Sequence, residues 1–146
     1  MTFKDPIYFW DPEHGKSRCE IEFNGLTFVG EAQCHDADSD MCSEKVGMYI
    51  SELRAKIKFM QYQKRIDQAK LDELTQLYFS INQSKKFSSE GYEAKMLKKR
   101  IKMAKTNVEN DNKLLEEYRI ELRRYIETKD IFYKYIRRNR EKDKNK

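Results

Sequence analysis

The sequence predicts a mainly α protein: an N-terminal two-stranded β-hairpin followed by a long antiparallel two-helix coiled-coil hairpin. Three observations predict it. An Asn24-Gly25 pair lies between two stretches of alternating polarity. Two long stretches repeat apolar residues at steps of three and four. A Ser- and Gly-containing break, SKKFSSEG over 84–91, separates those stretches.

Residues 1–16 hold both prolines, Gly15 and the aromatics Tyr8, Phe9 and Trp10, and read as an irregular arm that docks its aromatics on a neighbour. Asn-Gly is the preferred dipeptide of a two-residue type I′ turn, because both central residues need φ > 0. Pairing outward from it sets Phe23 opposite Leu26, Ile21 opposite Phe28 and Cys19 opposite Gly30. Alternation puts these six, with Ala32 and Cys34, on one face. A lone hairpin is marginal in water, so this one is expected to lie on a helix.

His35 to Ser43 is an acidic loop whose Asp38, Ser39, Asp40 or Ser43 can cap the next helix. The first long helix is expected from Glu44 to Lys85. Ile50, Leu53, Ile57 and Met60 form its apolar stripe, and Leu71, Leu74, Tyr78 and Ile81 resume it. Lys64 and Asp67 fall in the gap, with Phe59, Tyr62, Ile66 and Ala69 as a second stripe alongside. Ser88 or Ser89 caps the second helix, expected from Tyr92 to Arg140. Its seam runs Leu97, Ile101, Ala104, Val108, Asp111, Leu115, Tyr118, Leu122, Tyr125, Lys129, Phe132 and Ile136. Folding about Ser88 pairs residues whose numbers total about 176, which brings Asp111 near the gap in the first stripe. A polar layer of Lys64, Asp67 and Asp111 follows, setting register with some loss of stability. The organisation is thus an arm, hairpin and acidic loop over 1–43, a helical hairpin over 44–140 and a disordered basic tail over 141–146.

The 146 residues allow one domain. Hydrophobic and charged residues each make up 38% of the chain, which suits thin helical seams better than a thick core and implies that a homo-oligomer supplies further burial. No apolar run reaches membrane-spanning length. The N-terminus lacks the basic and apolar segments of a signal peptide. A cytoplasmic protein is expected, with Cys19, Cys34 and Cys42 as reduced thiols. Residues 1–44 hold three Lys or Arg against ten Asp or Glu, a net −7, while residues 45–146 hold 27 against 15, a net +12. A basic helical surface implies an anionic partner: nucleotide, nucleic acid or acidic protein.

The sequence carries no complete metal-binding or catalytic motif. Cys34, His35 and Cys42 lack paired zinc-ligand spacing. Asp36, Asp38 and Asp40 begin a calcium-loop pattern that fails at Met41 and Gly47. No phosphate-loop, nucleophile-elbow or triad pattern occurs, so a non-enzymatic protein with no cofactor is expected. A basic-aromatic cluster remains. Arg119 and Arg123, four apart on a helix, point the same way, and the register brings Arg54 and Lys58 to their level. Tyr62, Tyr118 and Tyr125 lie nearby. Guanidinium pairs grip phosphates and tyrosines stack on bases, so Arg54, Lys58, Tyr62, Tyr118, Arg119 and Arg123 are the candidate ligand-binding residues. The structural alternative is an Arg-rich flank bridged to Glu116, Glu117 and Glu121. Lys95, Lys98, Lys99, Arg100, Lys102 and Lys105 form a second basic group that wraps the helix.

The stretch FNGLTFVGEAQCHDADSD followed by VGMYISELRAKIK resembles small proteins of phages that infect Gram-positive bacteria. The strand-turn-strand, acidic loop and long helices resemble the first described family of Thoeris anti-defence proteins. That resemblance implies an oligomeric sponge that sequesters a cyclic ADP-ribose isomer or a cyclic oligonucleotide at protomer interfaces, held by arginines such as Arg119 and Arg123. The alternatives are a protein-binding inhibitor of a host nucleic-acid enzyme, such as a CRISPR nuclease, and a direct nucleic-acid-binding coiled coil.

Overall fold

The computed structural model describes residues 4–34, 43–83 and 91–144. Three strands precede two helices: β1 (Ile7–Asp11), β2 (Lys16–Phe23), β3 (Leu26–Gln33), α1 (Glu44–Gln83) and α2 (Tyr92–Lys144). The strands form one antiparallel sheet in the order β1-β2-β3, and the helices form a hairpin. Among the described residues no helix is long and apolar enough to cross a membrane.

The β2–β3 register is the one the turn dictates, with Phe23 paired to Leu26, Ile21 to Phe28 and Cys19 to Gly30. Asn24 and Gly25 take φ values of 49° and 78°, as a type I′ turn requires. The arm is a correction to the two-stranded expectation: its aromatic core is β1, paired to β2 from Ile7–Glu20 through Asp11–Lys16. Ile-Tyr-Phe-Trp lacks alternation, and Pro6 and Pro12 hide the strand by flanking it, where proline costs no ladder bond. An Asx turn follows, with Asp11 Oδ1 accepting from the backbone N–H groups of Glu13 and His14. Gly15, at φ 62°, then reverses the chain, and its carbonyl accepts from the Cys34 N–H at 2.8 Å.

The described chain falls into two compact units, one reaching Phe59 and resuming at Glu117, the other running from Met60 to Glu116. In the first, Cys19, Ile21, Phe23 and Ala32 of the sheet's inner face are buried, as are Ile50, Leu53, Ala55 and Phe59 of α1. Phe59 packs edge-on against Phe23 and Phe28, with ring centroids 5.1 and 5.4 Å away. Leu26, expected inside, is exposed at the hairpin tip. Two glycines let α1 approach the sheet. A Cβ on Gly30 would stand 1.9 Å from the Ser51 carbonyl oxygen and 2.4 Å from the Ala55 nitrogen, and one on Gly47 would stand 2.7 Å from Ser17 Oγ. In this unit Tyr49 Oη donates to Glu121, the Tyr49 and Tyr125 rings lie 4.4 Å apart, and Lys56 Nζ sits 5.8 Å from the Tyr118 ring centre.

In the second unit Ala94, Leu97, Ala104, Val108 and Leu115 of the α2 seam are buried. Lys98 lies over Tyr78, and Asp111 hydrogen-bonds Asp67. The cross-helix pairs of both units total 170 to 178 in residue number, close to the expected 176. The polar layer differs in membership. Gln63 Nε2, one helical turn from Asp67, donates to both its oxygens at 3.3 and 3.2 Å, and Lys64 makes no ion pair with either aspartate among the described residues. Ile66, of the second stripe of α1, is exposed. The C-terminal seam also departs from the heptad count, with Phe132 57% exposed and Tyr133 6% exposed. A straight helix drifts by about 20° per heptad, so the five heptads from Leu97 shift the inward position by about one residue. The helix continues to Lys144, through most of the expected tail. The cap readings at Asp38, Ser39, Asp40, Ser88 and Ser89, and the calcium-loop reading, lie outside the described residues. At Ser43 the carbonyl accepts from Gly47 N–H and opens α1.

Candidate functional site

A cleft of about 490 Å³ opens in the first unit at the free edge of β3. The strand supplies Ala32 and Gln33, and α1 supplies Ile50 and Arg54. The C-terminal half of α2 adds Ile126, Lys129, Asp130, Lys134 and Arg137. Helical periodicity explains the α2 wall: steps of three and four from Ile126 reach Lys129, Asp130, Lys134 and Arg137, all on one side. Arg54 reaches the strand because it follows Ile50 by one turn. Its Nη1 donates to the Glu31 carbonyl at 2.6 Å, which satisfies an edge-strand acceptor and holds the guanidinium at the cleft wall.

Four cations therefore surround one carboxylate. Lys129 Nζ stands 3.4 Å from Asp130 Oδ1 and 5.4 Å from the Tyr133 ring centre. Lys134 makes no ion pair among the described residues. Lys134 and Arg54 can bind phosphate oxygens in this concave site, with Arg54 able to offer donors beyond the one it gives Glu31.

Arg54 is the one sequence-predicted residue lining this cleft. Lys58 lies one turn beyond it on α1, and Arg123 and Arg119 lie three and seven residues before Ile126 on α2. Helix geometry sets these three on the faces that continue the cleft walls. All three are exposed, and among the described residues no ion pair joins Arg119 or Arg123 to Glu116, Glu117 or Glu121. The two tyrosines sit elsewhere. Tyr118 is about 100° around the helix from Arg119, half-buried with Lys56 over its ring. Tyr62 belongs to the second unit. Sequence reasoning missed Lys129, Lys134 and Arg137. Their spacing from Ile126 was a usable signal, but the heptad count turned Phe132 inward in place of Tyr133.

Other chemistry is weaker. Among the described residues, Asp11, Glu13 and His14 converge within 4.8 Å of one another and are each exposed at the β1–β2 turn. His14 Nδ1 lies 2.8 Å from Asp11 Oδ2, and this bond holds the Asp11 carboxyl below its usual range. Cys19 is free and fully buried. Burial first, then the Glu52 carboxylate, pushes its thiol up to about 11, so it is a poor nucleophile at neutral pH. Cys34 corrects the expectation of reduced thiols, because it is disulfide-bonded. It lies just past the end of β3, half-buried, away from Cys19, whose partner across the strands is Gly30. His35 and Cys42 lie outside the described residues.

No family model, curated protein or solved structure matches this chain.

Proposed function

We propose that this protein binds a phosphorylated small molecule in the cationic cleft and sequesters it without chemical change. The convergence of Arg54, Lys129, Lys134 and Arg137 on one cleft carries this reading. The cleft's size is that of small-ligand sites, and Lys58, Arg119 and Arg123 extend its positive field toward incoming anions. The resemblance to anti-defence sponges makes cyclic ADP-ribose isomers and cyclic oligonucleotides the first anions to try, in a bacterial cytoplasm during infection. Self-association belongs to the same proposal: Ile131, Phe132 and Tyr135 of α2 are each more than half exposed.

The test is calorimetry and thermal shift with tripolyphosphate, cyclic ADP-ribose isomers and cyclic dinucleotides. Binding raises the melting temperature as ligand exceeds Kd, and mass spectrometry of the heated sample recovers the ligand intact. No shift with any of them at millimolar ligand overturns the proposal, and release of a cleaved product overturns the non-enzymatic part.

A second reading has its own observation. Lys95, Lys98, Lys99, Arg100, Lys102 and Lys105 are all exposed on α2, and none makes an ion pair among the described residues. Such a surface suits a nucleic-acid backbone. It predicts affinity for duplex DNA or RNA that falls steeply with salt, whereas tripolyphosphate binding in a cleft changes less.

A further inference from the structure

We infer that the cationic cleft continues around the edge of β3 into a ring-binding groove on the outer face of the sheet, and that the ligand is a nucleoside phosphate whose base lies on Phe9. The inference rests on the anion binding proposed above and adds the part of the ligand that the cleft leaves unread.

The groove, of about 570 Å³, is lined by Phe9, Trp10, Lys16, Arg18, Glu31 and Arg54 among others. It shares Ala32, Gln33 and Arg54 with the cleft, so the two are contiguous. Strand pairing explains its floor. Phe9 is opposite Arg18, and Arg18 opposite Glu31, so the three form one row across the sheet. The neighbouring row, Trp10, Ser17 and Ala32, points to the other face and is half-buried or buried. Phe9 is 50% exposed in the middle of its strand, and among the described residues no helix covers it to account for an aromatic there.

The groups in that row suit a base. Phe9 offers a flat apolar face for stacking. Arg18 is engaged by Glu20 at 2.6 Å, which leaves the groove near neutral where the cleft is cationic. The Glu31 carboxylate makes no ion pair among the described residues and can accept a hydrogen bond from an exocyclic amino group. Arg54 stands at the shared wall, tied to the Glu31 carbonyl, where the phosphates would join the sugar. The polarity runs from charged to neutral along one continuous surface, as it does along a nucleotide.

ADP and pyrophosphate, compared by calorimetry on the full chain, test this, because they share the diphosphate and differ by the nucleoside. ADP is expected to bind roughly tenfold tighter or more, from base stacking. Phe9→Ala should erase that preference while pyrophosphate binding and the far-UV circular dichroism stay unchanged. If pyrophosphate binds and ADP gains nothing, or if Phe9→Ala keeps the preference, the groove is refuted and the anion cleft stands. If neither binds, both fail together.

Discussion

Asp67 of α1 and Asp111 of α2 meet carboxyl to carboxyl within the hairpin, and Asp111 Oδ2 is buried with no hydrogen-bond partner among the described residues. Two carboxylates in hydrogen-bond contact share a proton. Burial first, then the hydrogen bond and charge of Asp67, raises Asp111 from 3.8 to about 7. Gln63 grips both oxygens of Asp67 from its own helix.

This pair predicts a stability profile. A group whose folded pKa is raised stabilises the fold most at low pH, and that contribution is lost as pH rises through the folded value. The loss should accrue between about pH 4 and pH 7. Asp111→Asn, which mimics the protonated form, should therefore be more stable than the natural chain by about 2 kcal/mol at pH 8, with the gap narrowing toward pH 4. Urea unfolding at four pH values measures it, and a gap that does not change with pH would rule out the shared proton.

Gly30 predicts a steric cost. Its absent Cβ is the space that α1 backbone atoms of Ser51 and Ala55 occupy. Gly30→Ala should lose about 3 kcal/mol or more, since the clash is with backbone that cannot rotate away. Gly25→Ala provides the contrast. There the space is open and φ is +78°, so the cost should be about 1 kcal/mol of conformational strain. Equal losses at the two sites would mean that α1 does not seat on Gly30.

The cleft predicts a separation of binding from stability. Lys134 is exposed and unpaired among the described residues, so Lys134→Glu should change stability by no more than about 0.5 kcal/mol. Tripolyphosphate affinity should fall roughly tenfold or more, because an attraction becomes a repulsion. Arg54→Lys should also weaken binding, since an ammonium cannot hold the Glu31 carbonyl and a phosphate in one plane. Unchanged affinity in both variants would remove the cleft as the site.

The exposed apolar end of α2 predicts the response of the assembly. Ile131→Glu with Phe132→Glu should lower the molar mass measured by light scattering while leaving helical content unchanged. A monomeric natural chain, or a variant of unchanged mass, would contradict the proposed self-association.

The sequence by itself determined the elements whose information is local. Asn24-Gly25 specified its turn and, through the period of two, the register of β2 with β3. The spacing of apolar residues specified two helices, and the break at SKKFSSEG specified their antiparallel register and the level at which Asp67 meets Asp111. Arg54, singled out because the hairpin register sets it level with Arg119 and Arg123, lines the cleft. The tertiary structure decided what depends on packing between distant segments. It made a strand of Ile7–Asp11, whose run of apolar residues carries no alternation until β2 pairs with it. It explained Gly30, whose missing side chain has meaning only once Ser51 lies against it. It also turned Tyr133 inward and set Lys134 and Arg137 beside Arg54, because slow helical drift accumulates over α2 and a heptad count does not register it.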